Sequence, residues 1–513
     1  MKVSLHRLFT LCLLPLAGSV EAKTISIDEF LNSVRDANQT LKIASITIEA
    51  GDLRSTSADI IFSPQFFSQA SHTLDKKESA NPLAPDKVEA TNLSFGIQKL
   101  WESGLQSQIS YNLTKVNLDQ PSVPGFFTLP LALPNPLVPG TTSTQNVTIP
   151  NPIVGILPRS EYTEARTQLD LVQPLWKNSE GRDYGLTRES TVAKIAMQQM
   201  GERYKVKSLV AQAEYVYWQL ALAQEAVRTQ EGSIERFRKI KEWAKNRANS
   251  QLGDKADLLQ ADSGLRVKQL ELEQAKKDRN ALQRVFNTLR GVAGEAIEGD
   301  LVPLNSKALS LDKMNVKSKE GGMDEKGGVK RLDVEIAKQA AKLSEIEVEQ
   351  SREKFKGQLD VFGSVALNSL EEKSLDAVKG SVQADHPTYV VGIKFSTPLD
   401  HDIIDRDREG LIKMNQAAKL DQDLKEFNAR QDWADLRAQL GEAETRLRLA
   451  TELEQAQKEK LSYEKQRLSI GRTTTYQILM FEQDYANAQL ATIKSKADIL
   501  GILARLKSFG DAT

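Results

Sequence analysis

Side chains that could carry out catalysis or hold a metal are few and scattered in this sequence. Beyond residue 22 the histidines are His72, His386 and His401, and their spacing is not that of a metal site, whose ligands are clustered. No serine-hydrolase, Walker A or zinc-protease motif occurs, and the glycines at 321–328 lack the lysine and hydroxyl residue of a phosphate-binding loop. The sequence therefore predicts no enzyme, no metal site and no cofactor.

The net charge and the N-terminal residues further limit the class of protein. The 68 basic and 69 acidic residues nearly cancel, which does not favour nucleic-acid binding. Residues 1–22 combine early basic residues with an apolar stretch at 8–20 and end at Ala22, as a secretory signal peptide does. An uncleaved anchor helix is the alternative, although the stretch is shorter than the ~20 residues of a span. The single cysteine, Cys12, lies inside this signal.

Two long proline-free runs must form most of the structure. In residues 407–508 apolar side chains recur every three or four positions, which predicts helix: Leu436, Leu440, Ala443, Leu447 and Ala450. The run is interrupted once, at Gly471, so it predicts a long helical hairpin. Residues 186–292 have the same character and a similar interruption at Gly253.

Other segments alternate apolar and polar residues with a period of two, which predicts strands. Residues 92–115 form either two strands joined by a tight turn at 101–104 or one long bulged strand. Residues 165–171 predict another strand, and 358–368 and 388–396 have the ~9–11 residues needed to cross a bilayer as barrel wall. Residues 121–158 hold nine of the seventeen prolines and predict an exposed extended loop.

The two halves of the chain align with each other. Pro174, Leu175, Arg182 and Asp183 match Pro398, Leu399, Arg406 and Asp407 at a constant offset of 224 residues. The predicted organisation is therefore a duplication. Its parts are a signal peptide (1–22), a first repeat (23–292, strands about 66–173 and hairpin about 186–292), a flexible connector (293–330) and a second repeat (331–513, strands about 358–396 and hairpin about 407–508).

Several motifs in this order resemble those of the TolC-like outer-membrane efflux proteins, the outer membrane factors. The matching residues are Asn38, Arg331 with Asp333, Gln173–Pro174–Leu175, Thr397–Pro398–Leu399, and the pattern from Gly471 through Leu479 to Ala488. The resemblance covers essentially the whole chain after the signal. It implies a mainly α fold with a transmembrane β-barrel contribution, in which three copies pool their strands in the outer membrane and their helices in a periplasmic tunnel.

The function that the resemblance implies is that of a passive exit duct for drug efflux or type I protein export in a Gram-negative bacterium. The implied partners are two further copies of the chain, outer-membrane lipid, a periplasmic adaptor, and an inner-membrane pump of the RND, ABC or MFS class. The alternative is a periplasmic coiled-coil adaptor or scaffold. Such a protein is expected to have one long hairpin, whereas this sequence predicts two.

The resemblance also implies a periplasmic gate at the hairpin tips, where relatives pair an aspartate after the first tip with an arginine after the second. Asp257 and Arg472 lie near these positions, beside Gly253 and Gly471, and Thr473 occupies the arginine position itself. Gln477 and Met480 stand where relatives carry rings of aspartate, which argues against a cation-binding ring. Simple helix capping and solvation remain an alternative role for Asp257 and Arg472.

The strands raise two further questions. Trp101, Trp176 and Tyr389 at strand ends suit an interfacial aromatic belt, and ordinary packing at strand ends is the alternative. Four strands in the first half and two in the second would give eighteen in a trimer, where the family pattern has twelve. Either the barrel is enlarged or residues 92–115 lie outside it.

Overall fold

A computed structural model of the chain describes residues 24–79, 84–120, 124–134, 142–155, 159–251, 254–297, 299–304 and 330–510. The predicted signal peptide lies outside these residues. Contacts divide the chain into a helical unit (Met1–Asp52, Ala196–Ala341 and Ala418–Thr513) and a sheet unit (Leu53–Ile195 and Lys342–Ala417). Each unit takes residues from both predicted repeats.

The described part of the chain contains eight α-helices: α1 (Ile27–Ala37), α2 (Gln39–Arg54), α3 (Arg182–Asn249), α4 (Lys255–Leu289), α5 (Leu332–Lys354), α6 (Ser374–Gly380), α7 (His401–Ser469) and α8 (Thr475–Leu506). The long helices α3 and α7 begin four and six residues before the predicted starts at 186 and 407. None of these helices is long and apolar enough to cross a membrane.

Ten strands are described: β1 (Thr24–Ile25), β2 (Gln65–Asp75), β3 (Lys87–Leu100), β4 (Gln106–Asp119), β5 (Phe126–Pro134), β6 (Thr142–Pro150), β7 (Glu161–Pro174), β8 (Asp300–Leu301), β9 (Gln358–Glu371) and β10 (Pro387–Ser396). Six of them form one antiparallel sheet in the order β10-β9-β7-β4-β3-β2.

Residues 92–115 belong to two strands, not to one bulged strand. The chain reverses at 101–104, where the Trp101 N–H donates to the Leu105 carbonyl at 2.9 Å and the Gly104 N–H donates to the Trp101 carbonyl at 2.9 Å. Gly104 has φ 82°, a conformation that disfavours residues with a Cβ. The tight turn expected from the sequence is confirmed, and β3 and β4 pair along 14 residues.

The proline-rich segment differs from its prediction. It was expected to be an extended loop, but β5 and β6 pair antiparallel as a separate two-stranded sheet. Each strand of such a pair has one edge without a partner strand, so a proline's missing N–H need not break the ladder. Pro130 and Pro134 are therefore tolerated inside β5.

In the helical unit, buried aromatic rings gather around the start of the chain. Phe30 of α1 stacks on Phe286 of α4 with ring centroids 4.1 Å apart, and Tyr217 of α3 is fully buried beside them. The Tyr217 hydroxyl donates to the Ile25 carbonyl at 2.8 Å and accepts from the Val302 N–H at 3.3 Å. Burial raises the pKa of Tyr217 to about 12. This hydroxyl therefore joins α3 to strand β1 and to the residue that follows β8.

The predicted flexible connector, 293–330, is ordered at its beginning. Strand β8 pairs in parallel with β1, and Leu301 and Leu304 are buried in the aromatic core. The prediction of flexibility is wrong for these residues. It was based on the charged composition of the whole segment, which gives no indication that its two leucines are buried. Residues 305–329 lie outside the described part of the chain.

Two of the motif residues have clear structural roles. The Asn38 amide donates to the Leu289 carbonyl at 3.0 Å, while its oxygen accepts from the Thr40 N–H at 2.9 Å, so it joins the α1–α2 turn to the end of α4. Arg331 binds Asp333 through two hydrogen bonds of 2.6 and 2.8 Å and Asp432 of α7 through one of 2.6 Å. These bonds fix the start of α5 against α7.

We expect Tyr217→Phe to lower the free energy of unfolding by about 1–3 kcal/mol, because it leaves the buried Ile25 carbonyl and Val302 N–H without their partner. The matched control is Tyr463→Phe, since the Tyr463 side chain is 64% exposed. Chemical unfolding followed by tryptophan fluorescence measures both. Equal stability of the two variants would contradict the assigned role.

Candidate functional site

The second hairpin turn, between α7 and α8, is closed by a Schellman motif. Gly471 has φ 71°, and its N–H donates to the Leu468 carbonyl at 3.0 Å. The Arg472 N–H donates to the Arg467 carbonyl at 2.9 Å. Both bonds satisfy carbonyls that the helix end leaves free, and the positive φ explains why glycine stands here. The helix break predicted at Gly471 is confirmed.

Side chains on both sides of the turn lock it. The Thr473 hydroxyl donates to the buried carboxylate of Glu464, and the Arg467 guanidinium lies 3.7 Å from the same carboxylate. Arg467 also donates to the Arg472 carbonyl at 3.0 Å. The bonds that close the turn therefore involve the backbone N–H and carbonyl of Arg472. The side chain of Arg472 is exposed and makes none of these bonds.

The first turn of α8 presents polar and flexible side chains. Thr474 caps the helix by accepting from the Gln477 N–H at 3.3 Å. Gln477 and Met480 are exposed, on the side of α8 away from the buried Ile478 and Leu479. The structure thus places the two predicted ring positions on an accessible surface.

At the first hairpin turn the described residues resume at Asp254, so Gly253 lies outside them. Asp254 caps α4 by accepting from the Ala256 N–H at 3.0 Å. Asp257 follows in the first helical turn and is half-buried. Within the described part of one chain, no ion pair joins Asp257 to Arg472. Their pairing as a gate stays a prediction.

Next to the turns lies a buried acid that sequence analysis missed. Glu482 of α8 is fully buried, and its carboxylate forms ion pairs with Arg236 of α3 and Lys465 of α7, each at 2.6 Å. It stands between Ile478 and Ala486, both fully buried. The sequence did carry a sign of this buried acid, because Glu482 lies within the apolar stripe of α8. This cluster ties three helices together near the hairpin turns.

A second cluster joins α3 to α4. Asp262 accepts from Lys241 at 2.6 Å and from Arg266 at 3.0 Å. These two cations lower the pKa of the Asp262 carboxyl below its ordinary value. A lowered pKa stabilises the folded state fully above the ordinary pKa of aspartate, and this contribution is lost progressively as the pH falls from there through the lowered value. The tie between α3 and α4 is therefore intact at neutral pH.

The predicted strand-to-helix junctions lie at one end of the strands of the six-stranded sheet. Pro174 ends β7 and is buried, whereas Leu175 is exposed and its N–H donates to the Leu359 carbonyl at 2.7 Å. Pro398 and Leu399 follow β10 and are both exposed. The two Pro-Leu pairs thus occupy equivalent places, where a strand ends and a long helix begins.

Paired residues of the sheet form rows whose side chains share one face. One row is apolar on all six strands: Phe66, Ile97, Ile109, Leu169, Val365 and Tyr389. These side chains are exposed, from 38% at Leu169 to 70% at Phe66 and Tyr389. The next row, on the opposite face, is mostly polar: Gln65, Gln98, Gln108, Asp170, Ser364 and Val390. We call the side on which this exposed apolar row crosses all six strands the apolar face of the sheet.

No protein-family profile matches the chain, and a search of curated protein sequences finds no match. Solved structures do match it. OprN, an outer-membrane channel, is 15% identical with a TM-score of 0.63 over 94% of this chain and 89% of its own. The Vibrio cholerae outer-membrane protein VceC is 13% identical, with a TM-score of 0.61 over 94% of this chain and 96% of its own. The Campylobacter jejuni outer-membrane channel CmeC is 15% identical, with a TM-score of 0.59 over 97% of this chain and 93% of its own.

The chain therefore has the fold of the TolC-like outer-membrane channels, helix-rich with a β-sheet part. The resemblance that the sequence motifs indicated is confirmed at the level of the fold.

We expect Glu482→Gln to lower the free energy of unfolding by up to about 3 kcal/mol, because it leaves Arg236 and Lys465 without their counter-charge. Hydrogen exchange should accelerate in α3, α7 and α8 around this cluster. The control is Glu452→Gln, whose side chain is 61% exposed in its pair with Arg448 and whose loss should cost under ~1 kcal/mol. Unchanged exchange in Glu482→Gln would show that the buried acid does not hold the three helices together.

Proposed function

We propose that this chain is an outer-membrane channel that acts as the passive exit duct of a tripartite efflux pump or of a type I secretion system. Three copies pool their strands into one barrel in the outer membrane and extend their helices into the periplasm. A periplasmic adaptor joins this duct to an inner-membrane pump of the RND, ABC or MFS class, which supplies the energy. The duct itself catalyses no reaction and needs no cofactor.

The observation that carries the proposal is the exposed apolar face of the six-stranded sheet. In water a continuous apolar surface of this kind is unfavourable, at about 25 cal/mol for each Å² that stays uncovered. Lipid tails would cover it without requiring a protein partner. The opposite face, with Gln65, Gln98 and Gln108, suits contact with a water-filled lumen.

The backbone of the sheet supports the same conclusion. Every backbone polar group inside a bilayer must be bonded within the protein, because lipid tails offer no hydrogen bonds. Strands β3, β4, β7 and β9 each pair on both sides, over ten or more residues on each side. Such ladders are long enough to cross the apolar core of a membrane, which takes ~9–11 residues per strand.

The alternative function, a periplasmic adaptor or scaffold, would leave the apolar face in water. Cell fractionation separates the two functions. If the chain is an outer-membrane channel, we expect it in the outer-membrane fraction. It should resist extraction with carbonate and be released by detergent. Recovery from the soluble periplasm would favour the adaptor or scaffold.

For the gate, we propose that the hairpin turns close the periplasmic end of the duct. Arg472 is exposed beside Gly471, and the bonds that close the turn do not use its side chain. In a trimer this cation would be free to pair with Asp257 at the neighbouring turn. An exposed pair contributes only ~0–1 kcal/mol, a size that suits a gate that must open. Gln477 and Met480 provide no acidic ring, so the closed state is not expected to bind divalent cations.

The membrane contact is tested by placing one lysine on either face of β4. Ile109→Lys puts the charge on the apolar face, at an expected cost of ~2–4 kcal/mol near the middle of the bilayer. Gln108→Lys is the matched control, because the neighbouring residue faces the polar side. We expect Ile109→Lys alone to reduce the amount of folded protein in the outer membrane, measured by quantitative immunoblotting of membrane fractions. Equal recovery of both variants would contradict contact of this face with lipid.

The gate is tested with Arg472→Ser, which removes the exposed cation and leaves the bonds that close the turn in place. We expect a higher single-channel conductance in planar bilayers, because the turns lose one of their attractions. The control is Arg448→Ser, which removes a 64% exposed arginine in the middle of α7. A conductance equal to that of the unmodified chain would remove Arg472 from the gate.

A further inference from the structure

The hairpin β3–β4 lies inside the six-stranded sheet, not beside it. Strand β3 pairs with β2 over 11 residues and with β4 over 14, and β4 pairs with β7 over 12. If the hairpin were outside the wall, β2 and β7 would have to pair with each other. We propose, resting on the function proposed above, that each chain contributes six strands and that three copies close a barrel of eighteen strands, whereas the family it resembles has twelve.

The two edges of the sheet fit each other in a second copy of the chain. Strands β2 and β10 each pair on one side only in the described chain, and they are similar in length, at 11 and 10 residues. Because six antiparallel strands alternate in direction, the two edge strands run in opposite directions. The β10 edge of one copy therefore meets the β2 edge of the next as an antiparallel pair, the same pairing as in the rest of the sheet.

These edges lack the features that protect strands from pairing. Strand β2 contains neither lysine nor proline, and β10 has Pro387 only at its first position and one lysine, Lys394. Exposed edges of this length invite pairing with another chain, and soluble proteins usually block them. Pairing with a second copy satisfies their free backbone groups, which the bilayer would otherwise leave unbonded.

The sheet is also staggered as a closed barrel requires. One row of paired residues runs straight across it from Val390 to Gln65, through Ser364, Asp170, Gln108 and Gln98. Strand β2 begins at this row, whereas β10 continues six residues further, to Ser396. A second row joins Pro387 to Ser68, and β2 continues seven residues beyond it, to Asp75.

This stagger gives the tilt of the strands. The offset of six residues between the ends of β2 and β10 is reached over five steps from strand to strand. Each strand is therefore shifted along its neighbour by roughly 1.2 residues. At ~3.4 Å per residue and ~4.8 Å between strands, the tilt is about 40°, inside the ~35–45° range of closed barrels. The stagger seen within one chain can therefore repeat around three copies without breaking the ladder.

The width of the barrel is what separates eighteen strands from twelve, because the diameter grows roughly in proportion to the number of strands. At a tilt of about 40° the wall radius is ~18 Å for eighteen strands and ~12 Å for twelve. The added hairpin therefore widens the outer-membrane exit about 1.5-fold.

The test measures the distance between equivalent wall residues around the three-fold axis. Spin labels are placed at Leu169→Cys or, separately, at Val365→Cys, both on central strands and on the apolar face. Cys12→Ala removes the chain's own cysteine. Pulsed electron paramagnetic resonance on the full chain in lipid nanodiscs gives the spin-spin distance, and light scattering gives the number of copies.

We expect both sites to give a backbone separation of about 30 Å around the three-fold axis, against about 20 Å for twelve strands, with the label adding the same length to either value. A separation of about 20 Å in a trimer overturns the eighteen-stranded wall and leaves the channel function standing. A monomer, or the absence of a defined distance between copies, overturns both proposals.

Discussion

The structure depends on one constraint, the registered pairing of six strands that puts apolar side chains on one face and polar side chains on the other. Shifting any strand by one residue would exchange its two faces. The pairing also fixes where three helices join the sheet. The end of β7, the beginning of β9 and the end of β10 lie at the same end of the strands, so α3 and α7 begin, and α5 ends, beside that end of the sheet. The two faces of the sheet and the common end at which these helices join it both follow from this single arrangement.

Much of this architecture could be predicted from local sequence patterns. The period of two in β4, β7 and β9 and the glycine at the second hairpin turn are signals carried by neighbouring residues. The continuity of the sheet was not predictable, because pairing β7 with β9 joins residues about two hundred positions apart. The same limit explains why the β5–β6 hairpin and the packing of β8 on β1 were missed. In each, the partner strand and not the local pattern determines the structure.

The candidate site was predicted unevenly for a related reason. Gly471 could be recognised because a turn requires particular residue types at fixed positions. Glu482 was overlooked, although it is the most buried acid near the turns, because its counter-charges come from two other helices. Glu482 and Arg472 therefore differ in their surroundings. Buried charges join three helices, whereas the Arg472 side chain is exposed.

Contact of the apolar face with lipid can be measured by spin-label accessibility along β7, with one label at a time from Thr167 to Val172 in lipid vesicles. If this face lies against lipid, exposure to oxygen, which dissolves in lipid, peaks at Thr167, Leu169 and Leu171, and exposure to a water-soluble nickel complex peaks at the residues between them. Equal access of the nickel complex to both sets of positions would contradict it.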